Sequence, residues 1–232
     1  MQITVATYNI HKGVGRDKVC DPERIMSVLS EIDADVVALQ EADARFGERA
    51  TILPRAMLGE HHWQIASVAR RQRSIGWHGN ALLVKRGIEI TDCEALELPT
   101  LEPRGAVHAT LTHGGKSFCI TGTHLDLSGL RRRAQLKELL AHLKRRDRQC
   151  PALIVGDFNQ WGLNSGAMKI FADSWQMIAP GPSFPSQRPI ARLDRIMATE
   201  GWSLSQTRVH HSALASMASD HLPVVAKLKL LN

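Results

Sequence analysis

Two stretches of this chain repeat one plan, and the repetition constrains the fold more than any other feature. In the first, the strand-like Ile3-Thr4-Val5-Ala6-Thr7-Tyr8 closes on Asn9-Ile10-His11, a helix follows, and the apolar run from Asp35 to Gln40 closes on Glu41. In the second, Ser117 to Thr123 closes on His124-Leu125-Asp126, a helix follows, and Ala152-Leu153-Ile154-Val155 closes on Gly156-Asp157-Phe158-Asn159. Asn9 and Glu41 are separated by nearly the same distance in sequence as His124 and Asp157. Short runs of branched side chains bounded by Pro or Gly read as buried strands. A buried ionised carboxylate is costly unless a cation or hydrogen-bond donors receive it. Two stacked sheets that bring the four strand ends together would supply those partners. Strand–helix–strand units are common, so coincidence is the alternative reading.

The remaining elements fit the plan. Asp21-Pro22-Glu23 carries an N-cap acid followed by proline at the first helical position, and Ile25, Val28, Leu29 and Ile32 mark one face of the helix. His61 to Ala69, Asn80 to Lys85 and Gly105 to Thr112 read as strands, with Gly114-Gly115 as a hairpin turn into Ser117. Ser128 is placed to cap a helix whose apolar face is Leu136, Leu139, Leu140 and Leu143 and whose other face carries arginines. Leu193 to Ala198, Ser203 to His210 and Val224 to Leu230 complete the strands. No internal stretch reads as a linker, so residues 1–232 are expected to form a single domain with two pseudo-equivalent halves.

The net charge is +6 and the pI about 9.4. Basic residues gather at Arg70, Arg71 and Arg73, at Arg131, Arg132 and Arg133, and at Lys144, Arg145, Arg146 and Arg148. Such clusters suit a nucleic acid or an anionic membrane surface without separating the two, and a solvated helix face is the plainer reading of each. Cys20, Cys93, Cys119 and Cys150 are too scattered for a thiolate metal site, and Cys119 and Cys150 read as core thiols. No apolar stretch reaches membrane-spanning length and no leader precedes the first strand, so a reduced, cytoplasmic protein is expected.

Polar groups at strand ends are Asn9, Glu41, His124, Asp157, Asn159, Asp194, Asp220 and His221. Carboxylate and amide oxygens without thiolates suit Mg²⁺ or Mn²⁺, which binds through one or two carboxylates and keeps several waters. Glu41 is the candidate direct ligand, and no His-Glu-x-x-His helix points to zinc. Hydrolysis of a phosphate ester needs an activated water in line with the leaving group and neutralisation of the phosphoryl oxygens. His221, in Ser219-Asp220-His221-Leu222-Pro223 and oriented by Asp194, is suited to orient or deprotonate that water. Asn9, His124 and Asn159 would donate to the phosphate, and Asp157 would position the water or hold the metal from the opposite side.

Thr7-Tyr8-Asn9, Gln40-Glu41, Gly79-Asn80-Ala81, Thr123-His124-Leu125, Gly156-Asp157-Phe158-Asn159, Leu193-Asp194-Arg195-Ile196 and Ser219-Asp220-His221 together resemble the endonuclease/exonuclease/phosphatase superfamily of deoxyribonuclease I-like enzymes. The motifs occur in that superfamily's order and span almost the whole chain. The resemblance implies an α/β fold, a four-layer α/β/β/α sandwich of two mixed β-sheets flanked by helices, with Mg²⁺-dependent cleavage of phosphate esters at the sheet edges. It implies metal binding by Glu41 with Asn9 beside it and Asp220 as the neighbouring acid, Asp157 and Asn159 as the nucleophile- and phosphate-positioning pair, and Asp194 with His221 as the Asp–His pair. His78-Gly79-Asn80-Ala81, Arg104-Gly105, Arg132 with Gln135, and Phe184-Pro185 are similar to a compact bacterial branch of metal-dependent hydrolases. In that branch Asn80 and Arg104 would support the site, although Asn80 could also cap a turn and Arg104 could simply begin a strand. An abasic-site repair role fits poorly, because the single tyrosine, Tyr8, lies in the first strand.

The expected activity is therefore a metal-dependent phosphodiesterase on a phospholipid or small phosphodiester. The alternatives are an endonuclease or exonuclease on DNA or RNA, and a non-catalytic anion-binding module. His11, His78, His210 and His211 are read as surface or supporting residues, and Trp161 as a packed indole, the alternative being a ring that flanks the substrate.

Overall fold

The computed structural model describes residues 1–44, 47–48, 50–100, 104–146, 150–171 and 174–231. Arg148 of the third basic cluster lies outside them. In chain order the elements are β1 (Gln2–Asn9), α1 (Pro22–Ile32), β2 (Val36–Gln40), α2 (Arg55–Glu60), β3 (Trp63–Ile65), β4 (Ala81–Lys85), β5 (Glu89–Glu97), β6 (Gly105–His113), β7 (Lys116–His124), α3 (Gly129–Arg146), β8 (Ala152–Asp157), β9 (Trp175–Ile178), β10 (Asp194–Thr199), β11 (Trp202–Val209), α4 (Ala213–Ala218) and β12 (Val224–Leu230). They form two six-stranded sheets, ordered β11-β12-β1-β2-β4-β3 and β5-β6-β7-β8-β10-β9. Each sheet is antiparallel except for one parallel pair, β1 with β2 and β7 with β8, and those are the two repeated units.

The alternation of side chains along the strands builds three cores. In β1, Ile3 and Val5 enter the core between the sheets, while Ala6 and Tyr8 enter the core under α1. In β2, Val36 and Ala38 face the other sheet, and Val37 and Leu39 face α1. In β8, Leu153 and Val155 face the first sheet, and Ile154 packs with Leu136 and Leu139 of α3. Both faces of the central strands are thus buried, which is why they read as continuous apolar runs rather than alternating ones. The result is the α/β/β/α sandwich of two mixed sheets with flanking helices.

The same parity decides where the polar strand ends point. Asn9 continues the Ile3, Val5, Thr7 series, His124 continues Phe118 and Ile120, Asp157 continues Leu153 and Val155, and Asp194 precedes Ile196 and Ala198. All four therefore lie on inter-sheet faces, at one open end of the sandwich.

Local signals act as expected at several termini. Asp21 accepts from the Arg24 amide at 3.0 Å, Pro22 occupies the first turn, and Asp33 ends α1 in the left-handed region at φ 48°. Gly114 and Gly115, at φ 57° and 73°, form the two-residue turn between β6 and β7. The expected strand from His61 to Ala69 is corrected: α2 ends at Glu60 and the strand is the short edge β3, Trp63–Ile65, with one further bond from the Ala66 amide to Leu82 O. β5 escapes sequence reading because Glu89, Asp92, Glu94 and Glu97 interrupt any apolar pattern on an exposed edge strand.

The basic clusters are largely engaged within the chain. Arg70 pairs with Glu97, Arg73 with Glu48, Arg145 with Glu138, and Arg146 with both Glu94 and Asp92. Arg132, expected on the solvated face of its helix, is buried instead. Among the described residues no helix is long and apolar enough to cross a membrane.

Candidate active site

Asp157 is the centre of the site. It is 1% exposed, and the β8–β10 register sets it directly opposite Asp194. Its Oδ1 accepts from the Asn159 amide at 2.9 Å, an acid-turn bond that places Asn159 at φ 49°. Its Oδ2 receives three nitrogens: Asn9 Nδ2 at 3.2 Å from the first sheet, His124 Nε2 at 3.4 Å, and His221 Nε2 at 3.7 Å. The parallel β7–β8 register, with His124 opposite Asp157, explains the second of these contacts. Gly156 makes that register possible, since a Cβ there would lie 1.9 Å from the Thr123 carbonyl oxygen.

His221 sits between two acids. Its Nδ1 meets Asp194 Oδ2 at 2.8 Å, and that oxygen also accepts from Ser183 Oγ at 2.5 Å. Burial alone would lower the His221 pKa, but the Asp194 and Asp157 carboxylates outweigh it and raise the value to about 10. The two carboxylates thus favour the protonated ring. His124 goes the other way: burial lowers its pKa to about 3, with Arg104, His221 and Lys12 adding to the effect against Asp157. Two histidines on one carboxylate thus shift in opposite directions, because His221 also contacts Asp194.

The expected metal residues lie at the mouth. Glu41 follows β2 in the left-handed region at φ 54°, with Gly79 packed against its Cα. Its half-buried carboxylate receives the Lys12 ammonium. Asn9 Oδ1 accepts from the His11 amide at 3.1 Å, and the half-exposed Asp220 lies 3.9 Å from His11 Nδ1. Among the described residues, the histidine and acid donors that lie within 4.8 Å of one another as a group of three are Asp157, Asp194 and His221, and this group could hold a metal ion. Glu41 and Asp220 are not members of it. The two donor sets differ in chemistry. Glu41 and Asp220 offer partly exposed carboxylate oxygens, the donor type that suits Mg²⁺ or Mn²⁺. In the buried set His221 Nδ1 is engaged by Asp194 Oδ2, which leaves Asp194 Oδ1, His221 Nε2 and the Asp157 carboxylate as its donor atoms.

The other predicted residues are supports. Asn80 is fully buried and donates to Gly105 O at 3.0 Å, tying the first sheet to the second beside the site. Arg104 lies close enough to depress the His124 pKa. Asn159 Nδ2 donates to Leu125 O at 2.9 Å, joining the loops after β7 and β8. Tyr8 points into the core under α1, away from Asn9 and the site. Trp161, expected to be packed, is 64% exposed. Lys12 and Ser183 were not singled out by sequence. The Lys12 signal was its place immediately after Asn9-Ile10-His11; Ser183 contacts Asp194 through a loop that carries no motif.

The sequence matches the Endonuclease/Exonuclease/phosphatase family over residues 6–221. It is 27% identical to the uncharacterized protein YbhP of Escherichia coli, over 97% of this chain and 96% of that protein. Its fold resembles that of Danio rerio TDP2 complexed with a single-strand DNA product, with a TM-score of 0.75, 15% identity and coverage of 98% of this chain and 99% of that one. It also resembles a mannosyl-6-phosphatase of Bacteroides thetaiotaomicron, with a TM-score of 0.77, 17% identity and coverage of 98% and 100%. The chain therefore belongs to the endonuclease/exonuclease/phosphatase family of phosphate-ester hydrolases.

Proposed function

We propose that the protein is a Mg²⁺- or Mn²⁺-dependent phosphodiesterase that hydrolyses a phospholipid or a small phosphodiester by direct attack of water. The observation that supports this most is the meeting of Asn9, His124 and His221 on Asp157, three nitrogen donors from both sheets around one buried carboxylate at an open strand edge. Asp157 is the group that orients the water and accepts its proton. His221, held as an imidazolium by Asp194, donates to a phosphoryl oxygen, so the role of base expected for it from sequence passes to Asp157. The Asn9 amide and the neutral His124 ring line the same side and orient the phosphate, and Arg104 adds positive charge. Asn159 holds the two loops in register. Glu41, with Asn9 Oδ1 and Asp220, is the set suited to a divalent ion, and the Lys12 ammonium already on Glu41 marks it as a cation position. Such an ion would neutralise charge developing on the phosphoryl oxygens.

The test is hydrolysis of bis(p-nitrophenyl) phosphate with Mn²⁺, with EDTA and with Asp157→Asn. Turnover that needs Mn²⁺ and is lost in a normally folded Asp157→Asn protein is expected. Wild-type turnover in that variant overturns the reading. Cleavage of oligonucleotides with steep salt dependence, in preference to small diesters, would replace it with a nuclease. Failure to bind Mn²⁺ or Mg²⁺ at millimolar concentration would leave an anion-binding module.

A further inference from the structure

Among the described residues, seven large apolar side chains are exposed, and six of them, Val19, Leu127, Leu130, Trp161, Ile190 and Met217, lie on segments that adjoin the site end of the sandwich. Each belongs to a segment tied to a site strand end. Leu127 and Leu130 follow His124, Trp161 follows Asp157, Ile190 precedes Asp194, Val19 lies between Asn9 and α1, and Met217 precedes Asp220-His221. The seventh, Leu231, lies at the opposite end, its amide on Gly201 O. Isolated exposed apolar residues are ordinary on a protein surface, but they are ordinarily scattered rather than gathered at one end.

The loops are held in place by buried arginines. The Arg132 guanidinium donates to Leu127 O at 2.6 Å and to Gln160 Oε1 at 3.0 Å, which joins the Leu127 loop to the Trp161 loop. The fully buried Arg195 donates to Arg192 O at 2.9 Å and also to the carbonyls of Gln160 and Gly162, which joins the Ile190 segment to the Trp161 loop. Across the mouth, Arg16 N donates to Met217 O at 3.0 Å, which joins the Val19 loop to α4. Leu127 reaches 71% exposure, Leu130 85%, and Trp161 and Ile190 64% each, on segments anchored by charged groups taken out of water. Exposed basic residues sit beside them: Arg16 and Lys18 by Val19, Arg133 by Leu130, and Arg188 by Ile190. The one exposed acid in the Val19 loop, Asp17, is neutralised by Arg24 at 2.7 Å.

We infer that this rim docks the protein on an anionic phospholipid bilayer, with the site facing the headgroups. Separate apolar side chains on separate loops can each enter the interfacial layer, with the indole at headgroup depth and the cations on anionic lipid. A protein partner or second copy would call for a contiguous packed patch. A single-stranded nucleic acid would call for several aromatic platforms, where this rim has one ring among aliphatic groups. The inference deepens the proposed function, resting on it only for the statement that the mouth is catalytic, and selects membrane-presented phosphodiesters as the substrate class.

The experiment is flotation of the full chain in EDTA with vesicles of phosphatidylcholine containing about one third phosphatidylglycerol, against vesicles of phosphatidylcholine alone. Binding to the anionic vesicles is expected, with the partition coefficient falling about tenfold in Trp161→Ser and further in the triple variant Leu127→Ser, Leu130→Ser, Trp161→Ser. Leu231→Ser, at the other end, should float as the wild type does. The substituted side chains are exposed, so thermal unfolding should be unchanged, and this is checked. No flotation, or equal flotation of wild type and triple variant, overturns the inference. So does a wild-type dimer that the triple variant dissolves, which makes the rim a self-association surface, or oligonucleotide binding lost with Trp161 in place of vesicle binding. Flotation without phosphodiester hydrolysis leaves the docking surface standing and overturns only the proposed chemistry.

Discussion

The two repeated units, β1–α1–β2 and β7–α3–β8, place their polar strand ends alike and bury them differently. Asp157 closes the second unit at 1% exposure, whereas the Glu41 side chain closes the first at 24%. Asp157 remains on the inter-sheet face of its strand, surrounded by fixed donors. Glu41 has stepped past the end of β2 into a left-handed turn and is met by a flexible lysine. One plan thus yields a dry, preorganised carboxylate and a wet, exchangeable one. Proton transfer and phosphate orientation favour the first, and a hydrated ion favours the second.

The sharpest way to break this comparison is to remove the charge on the buried acid. Asp157→Asn keeps the shape of the site and should reduce kcat by about 10³-fold or more in the presence of saturating Mn²⁺. A loss smaller than tenfold would mean that the buried half does not carry the chemistry. The next effect is structural. Gly156→Ala puts a methyl group 1.9 Å from the Thr123 carbonyl oxygen, so it should lower the unfolding free energy by about 3 kcal/mol, read by urea denaturation. By strand register Leu39, opposite Tyr8, stands in the first unit where Gly156, opposite Thr123, stands in the second, so this dependence on glycine belongs to the second unit alone.

Much of this was legible in the sequence, and for a definite reason. Strands buried on both faces must be apolar throughout, so the polar residue that ends each run stands out, and side-chain parity then assigns its direction. Asn9, His124, Asp157 and Asp194 follow from that rule. His221 and Asp194 form the expected hydrogen bond, at 2.8 Å. The charge state of His221 was not legible, because it depends on Asp157 as well as Asp194, and only the fold brings the second acid to the ring. The exposure of Trp161 was hidden for a similar reason: of the anchors of its loop, Arg132 reads in sequence as part of a basic helix face and Arg195 only as part of a strand motif. The acidic edge strand β5 and the short helices α2 and α4 lack the periodicity that marks longer elements.

The wet half is tested by Glu41→Gln. Loss of the carboxylate should weaken Mn²⁺ binding by about 10- to 100-fold, measured by electron paramagnetic resonance of free Mn²⁺, and high Mn²⁺ should restore part of the turnover. If Asp194→Asn weakened Mn²⁺ binding more than Glu41→Gln, the ion would belong to the buried Asp157–Asp194–His221 group instead.

A smaller effect separates the two histidines through pH, with thermal unfolding followed in EDTA so that no ion intervenes. His221 is raised from its ordinary value of about 6.5 to about 10, so its contribution is complete below pH about 6.5 and is lost as pH rises toward 10. His124 is lowered to about 3, so its contribution is complete above pH about 6.5 and is lost as pH falls toward 3. The two together predict greatest stability in between. His221→Gln should flatten the alkaline limb and His124→Gln the acid limb, and the reverse assignment would show that the carboxylates are shared differently between the rings.

The smallest expected effect sharpens the contrast at its wet end. The Lys12 ammonium is the counter-ion of Glu41, held on a residue at φ 57° in the turn after β1. An incoming divalent ion must displace it. Lys12→Met removes the competitor and one positive charge while keeping the length of the side chain, so Mn²⁺ affinity should rise about three- to tenfold, with a matching shift in the Mn²⁺ concentration for half-maximal turnover. Besides the Asn159 backbone amide, Asp157 is met by the Asn9 side-chain amide, by His124 at the end of β7 and by His221 in the loop before β12, where Asp194 holds it. Substituting any of those should leave Mn²⁺ affinity within about twofold and act on kcat instead, apart from Asn9, whose Oδ1 also faces the wet side. An unchanged Mn²⁺ affinity in Lys12→Met would place the ion away from Glu41 and remove the ground for assigning metal binding to the first unit.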